Sequence, residues 1–327
     1  MACFKIWSIL TSTFVQAARR LPPRSLFRLL AAGLIASIAG LPAHAQGSGA
    51  RLKVVATFSI LGDFAENVGG DLVDVRTLVG ADGDVHVYTP TAADADAIRT
   101  ARLVIVNGLG LEGWLPRLVQ ASGGRATMVV ATNGIVPRTF GPSERHDGRE
   151  VGAVDPHAWQ AVTNAAIYVA NIRDAMMVAD PANAAIYQRN AANYLVRLQA
   201  LDGEVRKTVA LIPADRRKVI STHDAFGYFA QAYGVSFIAP QGISTDSEPS
   251  AREVADIVSQ IRTQHIPAVF LENISDPRPM QQIAAETGAR IGGTLYSDSL
   301  TGAHGSAPSY IDLVRRNVQS IVGALAN

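Results

Sequence analysis

The sequence predicts an α/β protein of two βα lobes, each with a central, mainly parallel sheet, joined by a long rigid backbone helix. Three observations carry that reading. Short apolar runs rich in Val and Ile alternate with helix-like stretches in two separate blocks of the chain, the pattern of parallel strands crossed over by helices. Between the blocks, Asn133 to Val154 is rich in Gly, Pro, Ser and charge and reads as a surface loop. After it, from Asp180-Pro181, no helix breaker appears until Gly203.

In the first block the strand candidates are Leu52 to Phe58, Val73 to Val79, Leu103 to Asn107 and Thr127 to Ala131. Thr91 is placed to cap a helix over Ala92 to Thr100, and Leu111 to Gln120 carries Leu115, Leu118 and Val119 on one face. Asp180-Pro181 reads as an N-cap followed by proline at the first helical position. Tyr187, Tyr194, Leu195, Leu198 and Leu201 supply an apolar stripe, and a lone glycine costs a helix only about 1 kcal/mol, so the helix is expected to pass Gly203 and reach Leu211. About thirty residues at 1.5 Å each give a strut roughly 45 Å long. The second block offers strands at Lys218 to Ser221, Val235 to Ala239, Ala268 to Leu271 and Arg290 to Leu295. Its helices are expected over Ala225 to Ala232, Ala251 to Thr263, Pro279 to Thr287 and Tyr310 to Leu325.

The first 45 residues hold Lys5, Arg19, Arg20, Arg24 and Arg28, no acid, and then the apolar run Leu29 to Leu41. That is a secretory signal, with cleavage expected after Ala45 in Pro42-Ala43-His44-Ala45. The apolar run is shorter than the roughly 20 residues a spanning helix needs. The segments are therefore a leader over 1–45, an N-terminal lobe over 46–178, a linking helix over 179–212 and a C-terminal lobe over 213–327. The sole cysteine, Cys3, falls in the leader, which leaves the exported chain without a disulfide, a thiolate metal site or a lipid-bearing cysteine. Removing the five basic residues from 29 leaves 24 against 28 acids, a net charge of −4. That balance argues against nucleic acid or an anionic membrane as partner.

Surroundings separate the seven histidines. His44 is in the leader, His146 in the polar loop, His304 in a Gly-rich stretch, and His265 at a helix end, where an imidazole meets the carbonyl-rich terminus favourably. The other three stand at boundaries between elements: His86 after the Gly83-Asp84 turn, His157 after Asp155-Pro156 and at the opening of a helix, and His223 after the strand ending at Ser221. Asp298 holds a similar place after the run Arg290 to Leu295. Ligands of parallel α/β lobes bind beyond the carboxyl ends of strands, so two such residues in each lobe can converge across a cleft. Neutral imidazole and carboxylate are zinc ligands, and four of them complete a tetrahedron. Asp84, Asp155 and Asp224 lie beside the histidines in sequence, where an acid can accept the second ring N–H.

These residues resemble the metal-binding receptors of bacterial ABC importers for zinc and manganese, the cluster A-I solute-binding proteins. The resemblance spans Leu52 to Leu325 and rests on GDVHVYTPT with His86, DPHAW with His157, THDAFGYFAQAYG with His223, FLENISDPRPM, and LYSDSL with Asp298. NGLGLEGW and ARIGGTLYSDSL are most similar to the zinc-specific receptors of the AztC type. The resemblance implies a site in the cleft between the lobes with His86, His157, His223 and Asp298 as ligands to one Zn²⁺, and Glu272 of FLEN as support outside the ligand set. Manganese receptors of the family typically carry glutamate where this chain has His223, and Mn²⁺ on the same fold is the alternative cargo. The implied partners are a membrane permease with its cytoplasmic ATPase and a periplasmic zinc chaperone, with the receptor a periplasmic monomer. Many zinc members carry a long His- and Asp-rich loop before DPHAW, and here only Ser143 to Val154 with His146 stands in its place. A zinc-dependent hydrolase with Asp298 as base to bound water is the rival of another class. The absence of HExxH and a complete coordination shell count against it.

Overall fold

The structure is a computed structural model and describes residues 50–140 and 152–326. The leader with Cys3 and His44, and the part of the polar loop that holds His146, lie outside the described residues.

The first block forms β1 (Leu52–Phe58), α1 (Ser59–Gly69), β2 (Val73–Val79), α2 (Ala92–Thr100), β3 (Leu103–Val106), α3 (Leu115–Ser122) and β4 (Thr127–Val130). Its strands pair in parallel in the order β2-β1-β3-β4. Then come α4 (Val162–Ala179) and α5 (Ala184–Val209). The second block forms β5 (Lys218–Ile220), α6 (Gly227–Tyr233), β6 (Ser236–Ile238), α7 (Ala251–Gln264), β7 (Ala268–Glu272), α8 (Arg278–Thr287), β8 (Arg290–Leu295) and α9 (Tyr310–Leu325). Its sheet is parallel in the order β6-β5-β7-β8 and repeats the topology of the first. In each lobe the crossovers leave the first strand in opposite directions, which opens a crevice at the carboxyl ends of the central strands.

Local chemistry accounts for the element ends. Asp94 of α2 accepts the N–H and hydroxyl of Thr91, closing a capping box. Ser250 and Glu253 do the same at the start of α7. In β8 the strand register shifts opposite Val269 and Leu271, and a Cβ at Gly292 would stand 2.4 Å from the Phe270 ring, so only glycine lets the two strands approach there.

The linking helix differs in detail from its expected form. Asp180-Pro181 opens a 3-10 turn, Pro181–Asn183, in which the Asp180 carboxylate accepts from Asn183 Nδ2 and the Tyr187 hydroxyl. The α-helix proper is α5, whose 26 residues run about 39 Å through Gly203. Tyr187, Ala191, Tyr194, Leu198, Leu201, Val205 and Val209 are buried at three- and four-residue spacing. Full burial of a large apolar side chain stabilises by about 1.5–3 kcal/mol, so this stripe binds α5 firmly to its neighbours. Those neighbours come from both blocks: Tyr194 and Asn190 reach Asp63 and Val68 of α1, and Glu204 pairs with Arg315 of α9. One core cluster runs from Val54 of β1 through α5 to Leu325 of α9. Among the described residues no helix is long and apolar enough to cross a membrane.

Candidate metal centre

Four loops deliver four side chains to one place, and each loop is fastened differently. His86 sits in the irregular segment after β2, where Asp82 takes a φ of +55° and donates its N–H to Leu300 O at 2.8 Å. Trp114 Nε1 donates to Val85 O at 2.8 Å, and the His86 N–H is accepted by Asp84 Oδ1 at 2.9 Å. His157 immediately precedes a 3-10 turn, Ala158–Gln160, at the entry to α4. Both its backbone N–H and its ring Nδ1 meet Asp155 Oδ1, at 3.0 and 2.9 Å, while Asp155 Oδ2 accepts from Arg138 Nη1 at 3.1 Å. His223 leaves the carboxyl end of β5 and is held by Glu272 at the end of β7. That carboxylate accepts the N–H of Thr222 and of His223 at 2.8 and 3.0 Å and lies 2.5 Å from His223 Nδ1. Asp298 follows β8 on a loop whose Ser297 carbonyl accepts from Trp159 Nε1 at 2.9 Å and Gln160 Nε2 at 2.7 Å. The His157 and Asp298 segments are thereby tied to each other across the cleft.

The geometry is that of a compact polyhedron of donors. One ligand atom from each of His86, His157, His223 and Asp298 lies within 4.8 Å of all the others. His86 Nε2 is 3.1 Å from Asp298 Oδ2 and 3.3 Å from His157 Nε2. His223 Nε2 is 3.2 Å from Asp298 Oδ2, and His157 Nε2 is 3.8 Å from Asp298 Oδ1. Donors at tetrahedral corners about 2.0–2.1 Å from a central ion would stand roughly 3.3 Å apart. Two of these atoms, His223 Nε2 and Asp298 Oδ1, are buried with no hydrogen-bond partner. Unpartnered buried polar atoms are rare because they forgo hydration without return, and here both belong to residues of the same cluster.

Protonation follows from the partners. A carboxylate accepts, so Asp155 and Glu272 each fix a proton on Nδ1 of His157 and His223 and leave Nε2 as the ring atom that faces the cluster. Burial pushes the His223 ring toward its neutral form, but the charges of Glu272 and Asp298 outweigh it and raise its pKa well above the usual value. Burial likewise works against an ionised Asp298, and the positive charges of His223 and His157 hold its carboxyl well below the usual range. A metal ion arriving at His223 Nε2 therefore competes with a proton for the same lone pair.

The structure brings His86, His157, His223 and Asp298 together, from strands that are not equivalent in the two lobes: after β2, before α4, after β5 and after β8. It leaves His265 exposed at the end of α7 and His304 exposed in its turn. The expectation that the acids adjacent in sequence hold the rings is met by Asp155 and corrected for the other two. Asp84 accepts the backbone N–H of His86, and its second oxygen takes the Thr245 hydroxyl at 2.5 Å. Asp224 is not the partner of His223, whose Nδ1 goes to Glu272, and α6 begins only at Gly227. The reason is topological, since β5 lies beside β7 and Glu272 thus adjoins His223 from 49 residues away. The signal available in the sequence was a carboxylate ending an apolar run, in FLEN. The Trp159 and Gln160 bonds to Ser297 had none.

Residues 54–324 match the family described as Zinc-uptake complex component A periplasmic, ZnuA. The iron-binding protein YfeA of Yersinia pestis is 35% identical over 313 residues, which cover 95% of this chain and 97% of that protein. The manganese-binding lipoprotein MntA of Halalkalibacterium halodurans is 34% identical over 299 residues, covering 91% and 95%. Of solved structures, the periplasmic zinc binding protein TroA from Treponema pallidum superposes with a TM-score of 0.77 at 30% identity, over 85% of this chain and 100% of that one.

Proposed function

The chain belongs to the Zinc-uptake complex component A family, and on that premise we propose that it is the periplasmic receptor of an ABC importer, carrying one divalent metal ion between His86, His157, His223 and Asp298. The family and the relatives are binding proteins, so the chain is a receptor and not an enzyme, and the zinc-dependent hydrolase is set aside. One observation carries the ligand assignment: three Nε2 atoms and one carboxylate converge, with two of those atoms buried and otherwise unpartnered.

Zinc is the cargo we infer. Three imidazoles and one carboxylate suit a four-coordinate zinc ion, whereas manganese favours more oxygen ligands and higher coordination. The AztC-type resemblance points the same way. The relative named for manganese supports Mn²⁺ as a second reading, and the one named for iron widens the field to Fe²⁺. In this reading the receptor is exported by its leader, works as a monomer, takes metal free or from a periplasmic chaperone, and delivers it to a membrane permease driven by a cytoplasmic ATPase.

Native mass spectrometry with elemental analysis of the protein purified from the periplasm tests cargo and stoichiometry together. One zinc per chain is expected. Manganese or iron in its place would change the cargo while leaving the receptor intact, and a protein that takes up none of the three would end the receptor reading.

A further inference from the structure

A second buried polar cluster occupies the carboxyl edge of the first sheet, apart from the four donors. Thr57, Asn107 and Thr132, near the ends of β1, β3 and β4, are buried there together with Glu112. After β3 the chain passes through Gly108, Leu109 and Gly110 with φ of +84°, +56° and +84°. This left-handed run folds Glu112 back over the strand end. Its carboxylate accepts the N–H of Asn107 at 2.6 Å, the N–H of Gly108 at 3.2 Å and the Thr57 hydroxyl at 2.7 Å. A Cβ at Gly108 would stand 2.7 Å from Val130 Cγ1, which, with the positive φ, reserves the position for glycine.

All this machinery immobilises one side chain. Asn107 Oδ1 accepts the Tyr168 hydroxyl at 2.5 Å, and Asn107 O accepts the Thr132 hydroxyl at 2.6 Å. Its amide Nδ2 donates to Gly108 O and to Pro156 O, both at 2.9 Å. Pro156 O belongs to the peptide that enters His157. Asp155 orients the ring of that histidine, while the Asn107 bond holds the backbone from which the ring projects.

We propose that Asn107 is a positioning residue for metal binding, one that sets where His157 Nε2 stands among the four donors by pinning the Pro156–His157 peptide. The inference rests on the receptor reading above, and it gives the Asn107 to Glu112 turn a task in the site. A carboxamide is required because it must donate to Pro156 O and accept from Tyr168 at once. An aspartate has the same shape and keeps the acceptor, but when ionised it sets a second oxygen against the Pro156 carbonyl.

That substitution separates positioning from charge. A new anion near the site would tighten cation binding on Coulomb's law alone, whereas loss of the peptide anchor weakens it. Zinc affinity is measured by chelator competition for the wild type, Asn107→Asp, Glu112→Gln and His157→Ala, together with the visible spectrum of each bound to Co²⁺, whose bands report ligand geometry. Asn107→Asp is expected to bind zinc about 10- to 100-fold more weakly with altered cobalt bands. Glu112→Gln keeps the turn but removes an acceptor from it, and a smaller loss with the same spectral change is expected, so the test survives if the aspartate variant does not fold. Unchanged or tighter binding with wild-type cobalt bands in the folded variants overturns the proposal. His157→Ala binding like wild type would instead remove His157 from the ligand set, a failure of the parent reading that the other variants cannot mimic.

Discussion

His223 Nδ1 stands 2.5 Å from Glu272 Oε2, and neither side chain reaches solvent. The same carboxylate takes the backbone N–H of Thr222 and His223, so one residue of β7 fixes the rotamer, the tautomer and the backbone of a residue leaving β5. Outer partners of this kind typically govern 10- to 100-fold in metal affinity. Glu272→Gln keeps the shape, loses the charge and offers its carbonyl oxygen alone as an acceptor. It is expected to weaken zinc binding by about 10- to 100-fold, measured by chelator competition, and binding equal to wild type would show that His223 needs no such support.

The donors themselves should matter more than their partners. Alanine at His86, His157, His223 or Asp298 is expected to weaken binding beyond the loss at Glu272. Alanine at His265 or His304, both exposed and remote from the cluster, should leave the affinity unchanged, and His146 is expected to behave likewise. A titration series in which an exposed histidine costs more affinity than one of the four would refute the assignment.

His223 is expected to set the preference for zinc over manganese. His223→Glu converts three nitrogens and one carboxylate into two of each and brings a side chain that can bind through both oxygens, which manganese favours. The variant should lose more affinity for zinc than for manganese, even if both bind less tightly. Parallel competition titrations with both metals decide it, and an unchanged or larger zinc-to-manganese ratio would shift the determinant elsewhere.

Gly203 sits inside α5 with nothing within 4 Å of the place a Cβ would take. Gly203→Ala therefore meets no clash and recovers the helix propensity and chain entropy that glycine forgoes, a stabilisation of about 1 kcal/mol. Urea unfolding should show a higher midpoint at unchanged slope. A lower midpoint would mean that α5 needs the glycine for close packing.

Asp63 predicts a pH dependence of stability. Burial between α1, α5 and α9 raises its carboxyl from 3.8 to about 6, although Tyr310 N–H and the Tyr194 hydroxyl both donate to it and pull the other way. Because the folded value exceeds the unfolded one, the fold favours the protonated acid. The group's contribution is whole below about pH 4 and is lost as pH rises through 6. Asp63→Asn keeps an acceptor for both donors and cannot ionise, so its advantage over wild type should grow across that window to about 3 kcal/mol at pH 8. Urea melts of both proteins at several pH values measure the difference, and a gap that stays flat between pH 4 and 8 would count against it.

Much of this protein can be read from local pattern. Alternating apolar runs locate the eight strands of the described residues to within two residues at either end, since a strand or an amphipathic helix is encoded in a window of a few residues. The placement of His86, His157, His223 and Asp298 at element boundaries needs only those windows and the rule that parallel sheets bind ligands at their carboxyl edges. Helix α1 escaped that pattern, and α4 was expected only as a helix opened by His157, without its extent. α4 is buried at Val162, Ala165, Tyr168, Val169, Ile172 and Met176 but carries apolar residues on its other faces too, so no stripe marks it. Tertiary structure alone decided which groups hold the donors. Glu272 reaches His223 because β7 is the neighbour of β5, Trp159 and Gln160 reach Ser297 from nearly 140 residues away, and Asn107 reaches Pro156 from 49. These contacts depend on strand order and lobe packing, which arise from the burial of the whole core and leave no periodic trace in the residues that use them.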